Sequence, residues 1–399
     1  MVKRYGAVMI MAVLLAHTAH AAEQPPTKEG GASCCHLPGG NMLFNPSFGD
    51  DIYHNHPAGM WMFNFKNMHM AMDGLRDGTS DVSKNDVGNF RGLPYTNFKN
   101  IPVGIHGALP YNYMMIPTKM TMDMQMLMAM YGVSDQLTVM GMVNYVETKM
   151  DMLMDMSPYN KNDSYNLRAS DPGAGPDDPM RTSGLGDTEL RGVYKFTEYL
   201  NGSLGVSLPS GDIDQYYITM TKRWRAPYDM QLGSGTIDLK PAVTANFLSA
   251  DALWNWGGQA MYTTHLGSNG NDYSLGDSLR LNTWLQRALG PAAAWIRLAY
   301  SNTGSINGHD DAIQKSLDDR NSMDMNMMTR YMTRYMAPSM PDADPDNYGG
   351  QKIDGYIGVS VPLGAVSLGV EGGIPLYQNL NGLQMKNDWY LTAGVQVMF

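Results

Sequence analysis

Apolar and polar positions alternate along many short segments of the chain. The segment from Trp389 to the terminal Phe399 shows this most clearly, because apolar residues take every second position and mostly polar or small residues lie between them. Alternation with a period of two predicts an amphipathic β-strand, whose successive side chains point to opposite faces. The dominant predicted element is therefore a strand with one apolar face.

The alternation predicts about twelve antiparallel strands, at 60–72, 114–131, 137–149, 184–197, 201–211, 233–249, 253–266, 273–289, 292–303, 350–361, 364–376 and 387–399. Short connections alternate with long ones such as 73–113, 150–183, 210–232 and 304–349. Transmembrane β-barrels join their strands by short periplasmic turns and longer outer loops. The pattern favours an all-β transmembrane outer-membrane β-barrel, and a soluble β-sandwich is the structural alternative.

Both ends of the chain also indicate an outer-membrane protein. Lys3 and Arg4 precede an apolar stretch at 7–16, and Ala19-His20-Ala21 follows as a small-x-small cleavage site, which is typical of a secretory signal peptide. The final strand, ending on Phe399, resembles the assembly signal of Gram-negative outer-membrane barrels. We expect the outer membrane of a Gram-negative bacterium, with a signal peptide at 1–21, a periplasmic segment at 22–59 and the barrel at 60–399.

Composition narrows the class further. The chain has 399 residues, 43 glycines, 23 tyrosines and 2 cysteines, and its mean hydropathy is -0.30. Because the sequence has no long apolar run after the signal, a helical membrane protein is excluded. The net charge of -10 argues against nucleic acid as a partner and is compatible with cationic solutes. The expected partners are outer-membrane lipid, the barrel assembly machinery and a small-molecule or metal-ion cargo.

The two faces of the early strands predict which residues line the lumen. In the first strand Trp61, Phe63 and Phe65 form the lipid face, and in the third Met140 and Met142 point inward. In the second strand the methionines are expected on the other face. Its polar residues predict the inward face, so the six methionines from Met120 to Met130 are predicted to face lipid. The predicted lumen-lining residues are Asn64, Lys66, Lys119, Asp123 and Gln125.

Methionine is the most over-represented residue, with 36 in the chain, many of them alternating with aspartate or histidine. Thioether sulfur is a soft neutral ligand that selects Cu(I) or Ag(I) over hard cations. Methionine as adaptable apolar filler is the alternative, and an oxidised pair is the alternative for the two cysteines. The candidate metal ligands are Met68, Met70, Met140 and Met142 on inward faces, Met150, Met152, Met154 and Met156 in a predicted outer loop, and Cys34, Cys35 and His36 near the N-terminus.

One segment raises the question of an enzyme. His265-Leu266-Gly267-Ser268-Asn269-Gly270 resembles the His-x-Ser-Asn-Gly motif of outer-membrane phospholipase A. In that family the histidine and serine lie two residues apart and share one strand face, whereas here they lie three apart. A lipid hydrolase is therefore only a minor alternative, and we expect no enzymatic activity.

Several short motifs carry a wider resemblance. Gly184-Leu185-Gly186-Asp187, Leu208-Pro209-Ser210-Gly211-Asp212 and Gly373-Ile374-Pro375-Leu376-Tyr377 resemble the outer-membrane transporter family named for the MetA pathway of phenol degradation. The stretch from Trp61 to Gly78 resembles a methionine-bearing branch of that family. The resemblance implies a barrel that moves small molecules. We expect a passive channel for small solutes linked to soft-metal (copper) handling, with a non-conducting structural or adhesive barrel as the alternative.

Overall fold

The computed structural model describes residues 54–83, 115–155, 164–165, 180–219, 222–313 and 340–399. The predicted signal peptide and the candidate ligands Cys34, Cys35, His36 and Met156 lie outside the described residues. The division into a signal peptide, a periplasmic segment and a barrel stays a prediction.

The described residues are almost entirely β-structure. Two single-turn 3₁₀ helices, Tyr228–Met230 and Pro341–Ala343, interrupt the loops, and none of the helical segments described is long and apolar enough to cross a membrane. The strands are Trp61–Gly78 (β1), Ser80–Val82 (β2), Met115–Gly132 (β3), Leu137–Asp155 (β4), Ser164–Tyr165 (β5), Met180–Leu185 (β6), Thr188–Lys195 (β7), Leu200–Leu208 (β8), Tyr216–Thr219 (β9), Lys222–Arg225 (β10), Ile237–Leu248 (β11), Trp254–Leu266 (β12), Tyr273–Ser274 (β13), Ser278–Leu289 (β14), Ala292–Thr303 (β15), Asn307–Gly308 (β16), Gly350–Leu363 (β17) and Val366–Met398 (β18).

The long strands form one closed antiparallel barrel. Hydrogen-bonded neighbours follow the chain from β1 through β3, β4, β7, β8, β11, β12, β14, β15 and β17 to β18, which pairs again with β1. The last element folds back at Gly382, whose φ of 67° suits a turn. Its first arm pairs with β17 and its second arm with β1. Because a ring of alternating directions needs an even number of members, these two arms complete the predicted twelve-stranded architecture.

The outer surface carries an apolar belt. Leu127, Val139, Leu190, Ile296 and Ile357 lie at outward positions and are exposed, as lipid-facing side chains of a barrel must be. The strands β3 and β4 contain 18 and 19 residues, whereas about 9–11 tilted residues span a bilayer. These strands therefore continue beyond the belt on the side of the long connections.

The facing predicted for β3 is wrong. Met120 is only 1% exposed and Met126, Met128 and Met130 are buried, whereas the side chain of Lys119 is 65% exposed. Pairing explains the reversal, because directly opposite residues share a face, and the methionines of β3 lie opposite inward residues of β1 and β4. Lys119, Asp123 and Gln125 consequently lie on the outward face and do not line the lumen.

The outward polar residues of β1 and β3 pair with each other. Nδ1 of His69 lies 2.8 Å from Oδ1 of Asp123, and the His69 ring packs 4.9 Å from the ring of Trp389. The ammonium group of Lys119 lies 3.3 Å from the carboxylate of Asp73. These pairs lie on the outer-loop side of the apolar residues of the same strands, which explains how polar side chains are tolerated on the outward face.

Candidate functional site

One wall of the barrel interior is built from methionine. A contiguous cluster on the inner face contains Val193 and Ala242 and otherwise only methionines, which are Met60, Met62, Met68, Met124, Met126, Met128, Met130, Met140, Met142, Met261 and Met398. Most of these residues come from the neighbouring strands β1, β3 and β4; on β3, methionine occupies every second position from Met120 to Met130. We call the inward methionines of these three strands the methionine wall.

The methionine wall extends through the thickness of the membrane. On β3 it runs from Met130 near the short turns to Met120 near the long connections. Ten residues at about 3.3 Å each cover roughly 33 Å along a strand. With a strand tilt of about 35–45°, this corresponds to about 25 Å along the membrane normal, which is the height of the apolar band of such barrels. A solute on this wall would meet thioethers from one side of the membrane to the other.

Charge pairs also lie on the inner face of the barrel. Arg297 and Glu371 form a buried ion pair, and the indole nitrogen of Trp295 donates to the same carboxylate over 2.7 Å. Glu189 accepts from Arg191 and from Lys240, each over 2.9 Å. Because each acidic side chain is shared with basic partners, these groups act as cross-links between strands. The inner face thus combines thioethers with hydrogen-bonded charges, and Arg191 and Glu189 lie directly opposite Met140 and Met142 on the neighbouring strand.

The predicted lumen residues on β1 are on the inner face. Asn64 and Lys66 are both buried, and the amide of Asn64 lies 3.4 Å from the side-chain oxygen of Gln396 on β18. They lie between Met62 and Met68 on the same face of the strand. Their role in lining a solute path stays a prediction.

Loops close the outer end of the interior. Residues from three long connections, 209–236, 267–277 and 304–349, turn inward and pack on the upper part of the methionine wall. The ring centroids of Tyr228 and Tyr273 lie 4.8 Å apart, and the hydroxyl of Tyr228 accepts from the backbone of Asp310 over 2.9 Å. We call this group the outer plug; its buried apolar members are Tyr217, Ala226, Tyr228, Met230, Tyr273, Ile306, Ile313, Met340 and Ala343.

Two buried carboxyl groups lie within the outer plug. Burial raises the pKa of Asp229 to about 7, and burial together with the nearby charge of Asp229 raises the pKa of Asp342 well above its usual range. One carboxyl oxygen of each residue has no hydrogen-bond partner. The plug is therefore compatible with neutral forms of these groups and disfavours two negative charges.

The segment 54–60 closes the periplasmic mouth against the inner face. The side chain of Asn55 donates to the carbonyl of Val193 over 2.9 Å, and the backbone of His56 donates to Oγ1 of Thr138 over 2.8 Å. A Cβ atom at Gly132 would lie 2.0 Å from the carbonyl oxygen of Pro57, so only glycine permits this contact. The segment is consequently held at a fixed position under the methionine wall.

His56 is the least satisfied polar side chain of this mouth. It is 1% exposed, and neither ring nitrogen has a hydrogen-bond partner. Burial, together with the neighbouring His54, lowers the pKa of His56 to about 3, so the imidazole is neutral. An unpaired buried polar group typically costs about 1–3 kcal/mol. From the sequence, His54-Asn55-His56 follows the candidate ligands Cys34, Cys35 and His36 as nearby imidazoles that could hold Cu(I) or Zn(II), but the sequence does not place His56 against the barrel strands.

The structure separates the predicted metal ligands. Met68 packs against the cluster on the methionine wall, Met140 and Met142 belong to it, and Met70 is on the same inward face of β1. Met150 and Met152 do not lie in an outer loop as predicted; they continue β4 opposite Met120 and Pro117 and are buried beneath the outer plug. Met154 lies on the same strand. Within the described part of the chain, no group of three or more His, Cys, Asp or Glu residues could hold a metal ion.

His265 has a structural partner. Its Nδ1 atom lies 2.8 Å from Oδ1 of Asp238 and 3.4 Å from Oγ1 of Thr236, whereas Ser268 is exposed in the turn that follows the strand. The arrangement ties β12 to β11 at the outer end. The expectation that the protein is not an enzyme stays a prediction.

Comparison with a solved structure supports the class of fold. An outer membrane channel from Pseudomonas putida F1 is similar to this chain with a TM-score of 0.51 at 13% identity, covering 90% of this chain and 100% of that chain. The chain is an outer-membrane β-barrel. A Pseudomonas aeruginosa FadL homologue matches with a TM-score of 0.39 at 9% identity over 85% of this chain and 90% of that chain. No family model and no curated protein sequence matches the chain.

Proposed function

We propose that this barrel is a passive channel for small solutes and that the solute path follows the methionine wall. The observation that carries the proposal is the continuity of inward thioethers over the membrane thickness. A barrel interior that only needed filling would be served by branched aliphatic side chains with defined rotamers, whereas methionine is flexible and adapts to what it contacts. A mobile thioether surface suits successive weak contacts with a moving solute.

The chemistry of the wall defines the cargo class. Thioether sulfur binds Cu(I) and Ag(I) and has little affinity for hard cations, so we propose soft monovalent metal ions as cargo. The inward basic residues Arg191, Lys240 and Arg297 are paired with Glu189 and Glu371, which limits their repulsion of a cation. The similar protein from Pseudomonas putida is described as an outer membrane channel, and the resemblance to the MetA-pathway transporter family also implies movement of small molecules.

A non-conducting structural or adhesive barrel is the second candidate. The observation that favours it is the outer plug, which packs three connections into the outer end of the interior. A channel requires that solutes pass around the plug or that the plug moves. We propose that the plug is a gate, because it packs loop residues on the outer end of the methionine wall and contains two carboxyl groups with unpartnered oxygens, whose ionisation disfavours this packing.

Planar-bilayer recordings of the purified barrel distinguish these roles. The channel should give discrete conductance steps, and micromolar Ag(I) nitrate should reduce them. The variant Met126→Leu/Met128→Leu/Met142→Leu keeps the apolar volume and should be less sensitive to Ag(I). Folded protein that stays silent at all voltages would support the structural role. Conductance steps that do not change when Ag(I) is added would support the channel but exclude soft metal ions as its cargo.

A further inference from the structure

We propose that His56 and a rung of four methionines, Met398, Met62, Met130 and Met140, form a Cu(I)-binding site at the periplasmic mouth. This site deepens the proposed function, because it rests on soft metal as the cargo and adds a resting position at one end of the path. Binding itself does not require an open pore.

The four methionines are direct neighbours across four strands. Met62 on β1 lies opposite Met398 on β18 and opposite Met130 on β3, and Met130 lies opposite Met140 on β4. Directly opposite residues have Cβ atoms about 4.5–5.5 Å apart and share one face. All four side chains are buried in one cluster. Neighbouring strands lie about 4.8 Å apart and each methionine has three rotatable bonds, so the sulfur atoms of two or three adjacent members can converge on one ion.

The backbone of His56 lies against the next pair of residues toward the periplasm. That pair is Gly132 and Thr138, which face each other two residues along the strands from Met130 and Met140. The backbone nitrogen of His56 donates to Oγ1 of Thr138, and the bare Cα of Gly132 faces the carbonyls of His56 and Pro57. Two residues correspond to about 6.6 Å along a strand, a distance that histidine and methionine side chains bridge together.

The imidazole of His56 is the independent sign of a ligand. Both ring nitrogens lack partners although the residue is 1% exposed, and the His54 ring packs edge-on at 4.7 Å. Neutral imidazole is the form that ligates metals. Imidazole and thioether together suit Cu(I) and Ag(I), whereas zinc prefers thiolate, imidazole and carboxylate, and calcium and magnesium prefer oxygen. The donor set therefore selects a soft monovalent ion.

The outer end of the methionine wall provides a matched control. Met72, Met120, Met150 and Met180 form a second rung across β1, β3, β4 and β6. This rung belongs to or packs against the apolar cluster of the outer plug. It matches the periplasmic rung in residue type and pairing, and it lies at the other end of the strands from Thr138, to which His56 is hydrogen-bonded.

The test is a Cu(I) titration of the full barrel against a chromogenic Cu(I) chelator under reducing conditions. All proteins carry Cys34→Ser and Cys35→Ser, so that thiols do not bind the ion. We compare this parent with His56→Phe, with Met62→Leu/Met130→Leu/Met140→Leu, and with the control Met120→Leu/Met150→Leu/Met180→Leu. Heat-modifiable migration on gels verifies that each barrel is folded, and X-ray absorption at the copper edge reports sulfur and nitrogen neighbours.

We expect the parent to compete with the chelator and to show mixed sulfur and nitrogen coordination. His56→Phe should lose the nitrogen signal and at least about tenfold in affinity, because even the loss of an outer-shell partner costs about that much. The periplasmic triple variant should lose more, and the outer triple variant should bind like the parent. If the periplasmic triple variant does not fold, the Cu(I) affinity of His56→Phe relative to the parent is sufficient to test the site.

Two results would overturn the site. One is a parent that does not bind Cu(I) at micromolar concentration, and the other is equal affinity of the parent and His56→Phe. If Ag(I) reduces the conductance but the parent and His56→Phe bind Cu(I) equally, the proposed channel is supported and this site is refuted. If the bilayers show no conductance but His56→Phe loses Cu(I) binding, the site is supported and the channel is refuted.

Discussion

Replacing Glu371 by glutamine tests a buried ion pair of the barrel interior. Glu371 is 1% exposed and receives hydrogen bonds from the guanidinium of Arg297 and from the indole of Trp295. Arg297 also packs 3.8 Å from the ring centroid of Tyr356. Glutamine keeps the volume and one acceptor oxygen but removes the negative charge, so the buried guanidinium loses its counter-ion.

Breaking a buried ion pair from one side typically costs about 3–5 kcal/mol, because the remaining charge stays buried without compensation. We expect Glu371→Gln to lower the free energy of unfolding by about this amount. The double variant Glu371→Gln/Arg297→Gln should recover part of the loss, because no uncompensated charge remains. The matched control is Glu147→Gln, since Glu147 pairs with Arg181 and Lys149 at more exposed positions and such pairs contribute about 0–1 kcal/mol.

The assay is reversible urea unfolding in lipid vesicles, followed by tryptophan fluorescence. The reasoning predicts a shifted midpoint with an unchanged slope for Glu371→Gln. It is refuted if Glu371→Gln and Glu147→Gln are equally stable, or if the double variant is less stable than Glu371→Gln alone. Either result would mean that the pair does not cross-link β15 to β18.

The outer plug and the seam of the barrel carry the remaining predictions. Because Asp229 and Asp342 have raised pKa values in the plug, the closed plug is fully stable below the ordinary aspartate pKa and loses stability as pH rises through about 7. Tryptic cleavage after Arg225, which is buried and paired with Asp310, should therefore increase from pH 6 to 8.5, and Asp229→Asn/Asp342→Asn should abolish the increase beyond the trypsin baseline; a parallel increase in both proteins would contradict the mechanism. Deleting Phe399 removes two backbone hydrogen bonds to Trp61 and a ring stacked on Phe63. The deletion should reduce the heat-modifiable form in outer-membrane fractions, whereas Phe247→Ala, which also removes an exposed aromatic ring, should not; equal assembly of both variants would oppose a role for the seam.

The architecture could be predicted because its signal is local. Period-two alternation and the alternation of short and long connections indicate a barrel without knowledge of any long-range contact. The two faces of β1 could be predicted for the same reason, since the aromatic residues Trp61, Phe63 and Phe65 alternate with Asn64 and Lys66. In that strand, lipid and interior differ clearly in polarity.

The face of β3 could not be read in this way because its environment is unusual. Its interior side is itself apolar, so polarity does not indicate which face is inside. Only pairing with Met62 and Met140 decides the orientation, and pairing is a long-range property. The same holds for Met150: its alternation with Asp151 and Met152 is compatible with a strand, but only the pairing with Met120 shows that β4 extends to the plug.

The outer plug and the mouth site depend on connections that fold back into the barrel. Tyr228 and Tyr273 meet although they belong to different loops, and their sequences contain no period that predicts the contact. His56 lies in a segment whose position is fixed by backbone contacts to Gly132 and Thr138. The sequence pattern does not predict such contacts, because they form only when the strands close into a barrel.

The most direct test of the central claim is whether an inward methionine position controls ion flow. In a background with Cys34→Ser and Cys35→Ser, a thiol is introduced by Met128→Cys on the methionine wall and, in a separate protein, by Leu127→Cys on the lipid face. Both barrels are recorded in planar bilayers before and after a charged, water-soluble thiol reagent is added. A channel along the methionine wall predicts conductance steps that fall after modification of Met128→Cys and stay constant for Leu127→Cys. Folded protein without steps, or steps that respond equally at the two positions, would contradict the account.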